Sequence, residues 1–200
     1  MANPTKGHEI PTIDVSMVTI AVTEGAEIAL QTASKIAVSV QTETEDSVKL
    51  VVKGKLIAQK PETTTITGNT VVLTDNVFNP EMVKILQGGT VKYWTSAEQT
   101  TEGDTDAGFG VSSYTPPVAG SADKGSVFKL IAYSAIYSTA GILTGYEKIT
   151  YPNCQGVPVA FNSQDGAFRA PSYTINSAPN NGQAPYDIDI VDTLPTVTRA

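Results

Sequence analysis

The stretch Tyr186-Asp187-Ile188-Asp189-Ile190 indicates the fold class most clearly, because apolar and acidic residues alternate through it without a break. Successive side chains of a β-strand point to opposite faces. The isoleucines would therefore face a core, and Asp187 and Asp189 would share the solvent face. The stretch predicts an amphipathic strand at the surface of an antiparallel sheet.

The same pattern recurs along the chain. Val, Ile and Thr suit a pleated, half-buried surface, and they alternate with polar residues in several other segments. The further predicted strands are Ile13–Met17, Ile36–Val40, Val48–Val51, Ile66–Val71 and Tyr173–Ile175. The chain is therefore predicted to be mainly β, with antiparallel strands.

Glycine-containing pairs between these runs predict hairpin turns. Gly68-Asn69 suits a two-residue type II′ turn. Asp165-Gly166 suits a type I′ turn between the strand candidates Val159–Phe161 and Phe168–Ala170. The residues Asn180-Asn181-Gly182 are predicted to join the last two strands.

One short helix is predicted near the middle of the chain. Asn79 can cap its N-terminus, Pro80 fits its first position, and Gly88 can close it in the left-handed conformation. The apolar residues that would face the core are Met82, Val83, Ile85 and Leu86.

Three segments follow neither pattern. The acidic segment Thr42–Ser47 separates two strands and is either a loop tip or the end of a long hairpin. Residues 97–125 are rich in Gly, Thr, Ser and Pro and are predicted to form one long loop, which is functional or disordered. Residues 1–12 form a polar N-terminal arm, so residues 13–200 are predicted to be a single β domain.

Composition and charge exclude several classes of protein. Hydrophobic residues make up 40% of the chain and charged residues 16%, which excludes disorder for most of it. Acidic residues outnumber basic ones 20 to 13, giving a net charge of −7. A protein that binds nucleic acid through its phosphates requires a positively charged surface. The single cysteine, Cys154, excludes an internal disulfide and a multi-thiolate zinc site.

The N-terminal residues lack the apolar segment and the cleavage site of a signal peptide. No apolar run approaches the roughly 20 residues that a membrane-spanning helix requires. We therefore expect a soluble protein that is made in a cytoplasm and has no membrane partner.

The candidates for nucleophilic catalysis are weak. His8 is the only histidine and lies in the polar arm, where it is expected to be solvated. Without an anchored base, Cys154 is expected to be a small buried apolar residue. Ser121–Lys124 matches S-x-x-K, but the other two motifs of that enzyme family are absent, so we interpret it as a chance match.

Paired carboxylates offer two further alternatives. Asp104 and Asp106 resemble the start of a calcium loop, but later ligand positions are missing, which leaves only weak surface calcium binding open. Asp187 and Asp189 could form a glycosidase pair, but the solvent face of an amphipathic strand explains them more simply. We therefore predict no enzyme, and no catalytic, cofactor-binding or metal-binding residues.

Several segments together resemble a known family. They are Thr144–Gly156 leading into Pro158–Phe161, Ala170–Pro179, Pro185–Asp189, and Thr67–Thr74 followed by the helix at Asn79-Pro80. In these segments the chain is similar to the tail tube proteins, or major tail proteins, of bacteriophages. The similarity is closest to phages and prophage tails of Gram-positive bacteria, and it covers about residues 30–195 outside the long loop.

The resemblance implies two antiparallel sheets packed at a steep angle, as a sandwich or half-barrel, with one short flanking helix. Six subunits would close a ring in which the inner sheets join into a continuous β-barrel. The rings would stack into the hollow tube of a virion tail, assembled in the host cytoplasm. The implied partners are further copies of the chain, tape-measure protein, tail terminator, and baseplate or tail-tip proteins. Whether a contractile sheath surrounds the tube stays open.

The resemblance also implies that double-stranded DNA passes transiently through the tube at genome ejection. An acidic lumen suits such a conduit, because cationic contacts would release counterions and hold the DNA. We therefore predict that at least some of five carboxylates face the lumen or the contacts between rings: Glu43, Glu45, Asp46, Asp187 and Asp189. Residues 97–125 and the N-terminal arm are expected to become ordered only on assembly.

Two alternatives remain open at this point. A tube protein of a phage-tail-like bacteriocin or a secretion machine would have the same architecture. A β-sandwich that binds carbohydrate or mediates adhesion would also be mainly β. Such modules use exposed aromatic rings as sugar platforms, whereas Trp94 is the only tryptophan and aromatic residues make up 7% of the chain.

Overall fold

The computed structural model of the chain describes residues 10–22, 27–94, 110–122 and 124–196. These residues form twelve strands and one helix. The elements are β1 (Thr12–Val22), β2 (Glu27–Leu30), β3 (Ala33–Glu45), β4 (Val48–Val52), β5 (Lys55–Lys60), β6 (Thr63–Asp75), α1 (Pro80–Gln87), β7 (Thr90–Tyr93), β8 (Val111–Thr115), β9 (Phe128–Tyr137), β10 (Leu143–Gly156), β11 (Ser172–Ser177) and β12 (Asp187–Val191).

Eight strands form one antiparallel sheet in the order β2-β1-β9-β10-β11-β6-β3, and β12 is added to β10. The long strand β10 organises this sheet, because one of its edges pairs with β9 along most of its length. Its other edge pairs first with β12 and then, from Cys154 onward, with β11. The sheet therefore has two halves that meet at β10. Two separate hairpins, β4–β5 and β7–β8, complete the described strands.

Apolar residues from both halves of the sheet and from the helix form one buried cluster. Ile20 and Leu130 come from the first half and Leu73 and Tyr173 from the second, and none of these four side chains is exposed. Burying a side chain of this size contributes roughly 1.5–3 kcal/mol. The predicted mainly β, sandwich-like fold with one short helix is confirmed, and the chain's own sheets are not closed into a barrel.

Helix α1 follows the predicted start signals. The side-chain oxygen of Asn79 accepts hydrogen bonds from the backbone N–H groups of Glu81 at 2.9 Å and Met82 at 3.3 Å. Pro80 is the first helical residue, and the four predicted apolar residues are all buried. Gly88 ends the helix with a φ of 82°, but its ψ of −161° lies outside the left-handed helical region. The predicted sign of φ is therefore right, and the predicted left-handed helical conformation is wrong.

We expect Asn79→Ala to lower the free energy of unfolding by about 1 kcal/mol, because it leaves two backbone N–H groups of α1 without their acceptor. Urea denaturation followed by circular dichroism measures this change. Asn79→Asp is the matched control, since it retains an oxygen acceptor at the cap. Equal denaturation midpoints for Asn79→Ala and the unmodified chain would contradict the expected role of the cap.

The predicted turn at Gly68-Asn69 is wrong, because both residues lie within strand β6. Gly68 pairs with Gln41 next to an irregularity in the β3–β6 ladder. A β-carbon at this position would overlap the backbone oxygen of Ser177 on β11. Glycine is therefore required here by the close approach of a neighbouring strand, which is a common reason for glycine inside a sheet.

The predicted hairpin around Asp165-Gly166 is also wrong. A turn is present, with Gly166 at a φ of 73°, but residues 157–171 form no strands on either side of it. These residues instead contact the last residue of α1 and the segment that precedes the helix. The N–H of Val159 donates to the side-chain oxygen of Gln87 at 2.8 Å, and the rings of Phe161 and Phe78 lie 5.5 Å apart. By contrast, the turn predicted at Asn180–Gly182 does connect β11 to β12, because the N–H of Gln183 donates to the carbonyl of Asn180 at 2.9 Å.

Part of the predicted long loop is a strand. β8 lies within residues 97–125 and pairs with β7, and the hydroxyl of Tyr114 donates to the carbonyl of Gly88 at 2.8 Å. This hydrogen bond anchors β8 to the end of the helix. Residues 97–109 and 123 of the loop, and residues 1–9 of the N-terminal arm, lie outside the described residues, and β1 already begins at Thr12.

Candidate interaction surface

The two strands β4 and β5 form a hairpin that extends from the end of the β3–β6 pair, and we call residues Val48–Lys60 the cationic hairpin. Of the two alternatives for Thr42–Ser47, the end of a long hairpin is the correct one, because β3 continues to Glu45. The chain reverses at Lys53 and Gly54, whose φ angles of 50° and 76° suit a two-residue turn of the I′ kind.

Apolar side chains are exposed on both faces of the cationic hairpin. Val48, Leu50 and Val52 alternate with Val51 along β4, and exposure reaches 64% at Val48 and 61% at Ile57. Every residue of both strands is exposed. An isolated two-stranded hairpin is at best marginally stable in water. Exposed apolar surface of this kind is typical of contacts with proteins or membranes, of ligand sites and of aggregation-prone segments.

The cationic hairpin opposes the charge of the rest of the chain. It contains four lysines and no acidic residue, within a chain of net charge −7. Lys60 forms an ion pair with Glu45 at 2.6 Å. For Lys49, Lys53 and Lys55, no ion pair occurs within the described residues. This combination of apolar and cationic side chains suits a partner surface that is apolar and acidic.

A surface of that character lies on β12, which we call the acidic edge strand. Ile188 and Ile190 are 50% and 51% exposed, so the prediction that they face the core is wrong. The reason is that β12 pairs only with β10, and nothing in the described part of the chain covers its apolar face. Asp187 and Asp189 share the opposite face, as predicted from their spacing.

The acidic edge strand is tied to β10 by one ion pair. The ammonium of Lys148 donates to the carboxylate of Asp189 at 3.0 Å, and this hydrogen bond raises the pKa of Lys148 above its ordinary value. Both side chains are partly exposed, so the pair contributes at most about 1 kcal/mol. Asp187 forms no ion pair with a described residue, which leaves a carboxylate available to an incoming cation.

The predicted lumen or ring-contact residues form two groups that are not brought together. Glu43 and Glu45 lie in the outer part of β3 and Asp46 just after it, at the base of the cationic hairpin, and all three are exposed. Asp187 and Asp189 lie on β12, which belongs to the same sheet as β3 but pairs with β10, three strands away from β3. Sequence reasoning predicted the strand at Val48 but missed the hairpin, although Lys53-Gly54 between two apolar runs was a usable turn signal.

The structure describes only some of the candidates for chemistry. Cys154 is fully buried, and its thiol donates to the carbonyl of Tyr151 at 3.3 Å, in accord with the expected role as a buried apolar residue. His8, Asp104, Asp106 and Asp123 lie outside the described residues. Within the described ranges, no group of three or more His, Cys, Asp or Glu side chains could hold a metal ion. No helix in that part of the chain is long and apolar enough to cross a membrane.

We expect Cys154 to resist thiol reagents as long as the chain is folded. Burial raises the pKa of its thiol to about 11, so roughly a thousandth of it is thiolate at pH 8. Labelling with an aromatic disulfide at pH 8, with and without denaturant, measures this. Rapid stoichiometric labelling of the native protein would contradict the burial of this side chain, and labelling in denaturant is the positive control.

Comparison with known proteins gives matches among solved structures only. No protein-family model matches the chain, and no curated protein sequence matches it. The chain is similar to a chain in the structure of the anti-feeding prophage baseplate. That match has 8% identity and a TM-score of 0.36, and it covers 96% of this chain and 97% of the other. It is also similar to a chain in the structure of that prophage's tube-terminating cap, with 8% identity, a TM-score of 0.42 and coverage of 95% and 97%. At these TM-scores the similarity assigns no function, which has to follow from the chain's own residues.

Proposed function

We propose that the chain is a structural subunit of a phage-type tail tube, built by association of copies of the chain. The observation that carries this proposal is the cationic hairpin, which exposes apolar side chains on both faces and has no partner surface among the described residues. A projecting element of this kind gains stability when it is buried by another subunit. The sequence resemblance to tail tube proteins supports the choice of particle.

Open strand edges support the same proposal. Within the described residues, β2 and β3 end the sheet and β12 pairs on one edge only. An unpaired edge presents a row of N–H and C=O groups that readily accept another strand. In the proposed assembly, six subunits form a ring in which neighbouring sheets continue one another, and closure of the ring removes these edges.

We further propose that the rings stack and enclose a lumen, which holds tape-measure protein and later passes double-stranded DNA. The net charge of −7 per subunit supports a passage that DNA does not bind. We propose that the exposed carboxylates at the base of the cationic hairpin, and those on β12, face this lumen or the contacts between rings. The tape-measure, terminator and baseplate partners follow from the same proposal.

Concentration-dependent assembly tests the proposed function. Purified protein is followed by sedimentation velocity over a rising concentration series, and the same samples are imaged by negative-stain electron microscopy. We expect six-fold rings or hollow tubes to replace monomers as concentration rises. A chain that stays monomeric at every concentration, also when a preformed tail tip is added as a nucleus, would contradict the proposal and direct the next test to glycan binding.

A further inference from the structure

Two strand edges in this chain are open and complementary. Among the described residues, β4 pairs only with β5, and β12 pairs only with β10. Each therefore presents one edge of unpaired backbone groups, which is the requirement for adding a strand from another chain. β4 is the more regular edge of the hairpin, because the irregularity in its ladder places the extra residue, Ile57, on β5.

The side-chain patterns of the two edges match. In β4, Val48, Leu50 and Val52 share one face, and Lys49 lies on the other. In β12, Ile188 and Ile190 share one face and the two aspartates share the other. Residues that lie opposite one another in paired strands share a face.

One antiparallel register pairs the apolar faces and sets a lysine opposite an aspartate, with Val51 opposite Asp187. It sets Leu50 opposite Ile188 and Val48 opposite Ile190, and the residue between them, Lys49, then lies opposite Asp189. Shifting the register by two residues retains apolar pairs and brings Lys53, in the turn, opposite Asp187. A shift by one residue would instead set lysine against isoleucine and leucine against aspartate, so the pattern excludes that shift.

We propose that strand β4 of the cationic hairpin adds to the free edge of β12 in a second copy of this chain. The inference rests on the proposed function, because it specifies the contact by which copies associate. The two surfaces are different parts of the molecule, so the contact is head-to-tail and continues from subunit to subunit into a ring or a filament. The lysines of the hairpin offset the repulsion between two chains that each carry −7.

Charge reversal on each side tests the contact. We expect Lys49→Glu and Asp189→Lys each to raise the concentration needed for assembly about tenfold or more, because each sets like charges opposite one another. Lys84→Glu is the matched control for Lys49→Glu, since it makes the same change of net charge at an exposed position of helix α1, away from the open strand edges, and should have no such effect. Thermal denaturation of each variant monomer verifies that it is folded, above all for Asp189→Lys, which also replaces the ion pair with Lys148 by two adjacent lysines.

Mixing the two reversed variants gives the sharpest result. The hairpin of the Lys49→Glu chain carries the charge that suits the β12 edge of the Asp189→Lys chain, and the reverse pairing is unaltered. An equal mixture should therefore assemble near the original concentration, although neither variant does so alone. Failure of the mixture to assemble, with the unmodified chain assembling normally, would overturn this contact and leave the proposed function standing. Failure of the unmodified chain to assemble would overturn the proposed function itself.

A cross-link measures the register directly. Leu50→Cys and Ile188→Cys variants, carrying tags of different mass, are mixed and oxidised, and opposed residues of paired strands lie within disulfide reach. Cys154 is buried and does not compete. We expect a heterodimer on a non-reducing gel, and none when Lys35→Cys replaces Leu50→Cys. Absence of a heterodimer in assembled material, both for this pair and for Leu50→Cys with Ile190→Cys, would overturn the proposed pairing.

Discussion

Replacing Asp46–Glu62, which contains the cationic hairpin, by Asn-Gly is expected to abolish self-association while the rest of the chain stays folded. The replacement is geometrically simple, because Glu45 and Thr63 already lie opposite each other at the end of the β3–β6 ladder. A two-residue Asn-Gly loop closes such a pair in the turn type that hairpins favour. The shortened chain would lose the projecting apolar surface and four lysines.

The stability of the buried core should be unchanged by this deletion. No residue of the cationic hairpin belongs to the buried cluster, and its side-chain link to the rest of the described chain is the exposed Lys60–Glu45 ion pair. Changes at exposed sites of this kind alter the free energy of unfolding by at most about 0.5 kcal/mol. Circular dichroism melting curves of the two chains should therefore coincide within a few degrees.

Sedimentation velocity measures the predicted loss of association. The full chain should form large species at concentrations at which the shortened chain sediments as a monomer. The control retains the hairpin but replaces its turn residues Lys53-Gly54 by Asn-Gly, which keeps the strands and removes one lysine. Assembly of the shortened chain at the same concentration as the full chain would contradict the central role of this element.

A large loss of folding stability is expected when Gly68 is replaced by a residue with a β-carbon. A β-carbon there would overlap the backbone oxygen of Ser177, which cannot rotate away as a side chain would. We expect Gly68→Ala to lower the free energy of unfolding by about 2–3 kcal/mol, in the range of overpacked core sites, because β6 and β11 must separate. Gly68→Val should exceed this value and reduce the yield of folded protein.

Urea denaturation of Gly68→Ala measures the loss, and Gly110→Ala provides its control. Apart from the two chain neighbours of Gly110, no atom of the described residues lies within 4 Å of the position that a β-carbon there would take, and its backbone is not in the positive-φ region. The same substitution should therefore change stability little there. Equal midpoints for the two variants would contradict the close packing of β6 against β11.

The pattern-based part of the fold was predictable from sequence, and the part set by long-range contacts was not. Alternation located the strands around Ile36, Val71 and Ile175, and the cap signals located the helix, because these depend on neighbours in sequence. Gly68 was misassigned because a glycine that permits a turn and one that admits a neighbouring strand have the same local sequence. The distinguishing contact, Ser177, lies more than a hundred residues away.

The candidate interaction surface was likewise predictable only where it depends on neighbours in sequence. The shared face of Asp187 and Asp189 followed from their spacing, whereas the exposure of Ile188 and Ile190 depends on the absence of a covering strand among the described residues. The apolar residues of the cationic hairpin have the composition of a buried strand. Only the three-dimensional arrangement shows that nothing in the described chain packs on them.

Strand β10 connects the two halves of the sheet through hydrogen bonds on both of its edges. It pairs with β9, β12 and β11, and through β9 and β11 it connects both halves of the sheet. When the two halves are displaced along the direction of β10, the flanking ladders are strained in shear, so that many hydrogen bonds must break together. A particle made of such subunits would therefore resist stretching and bending through the covalent backbone of its own strands as well as through the contacts between subunits.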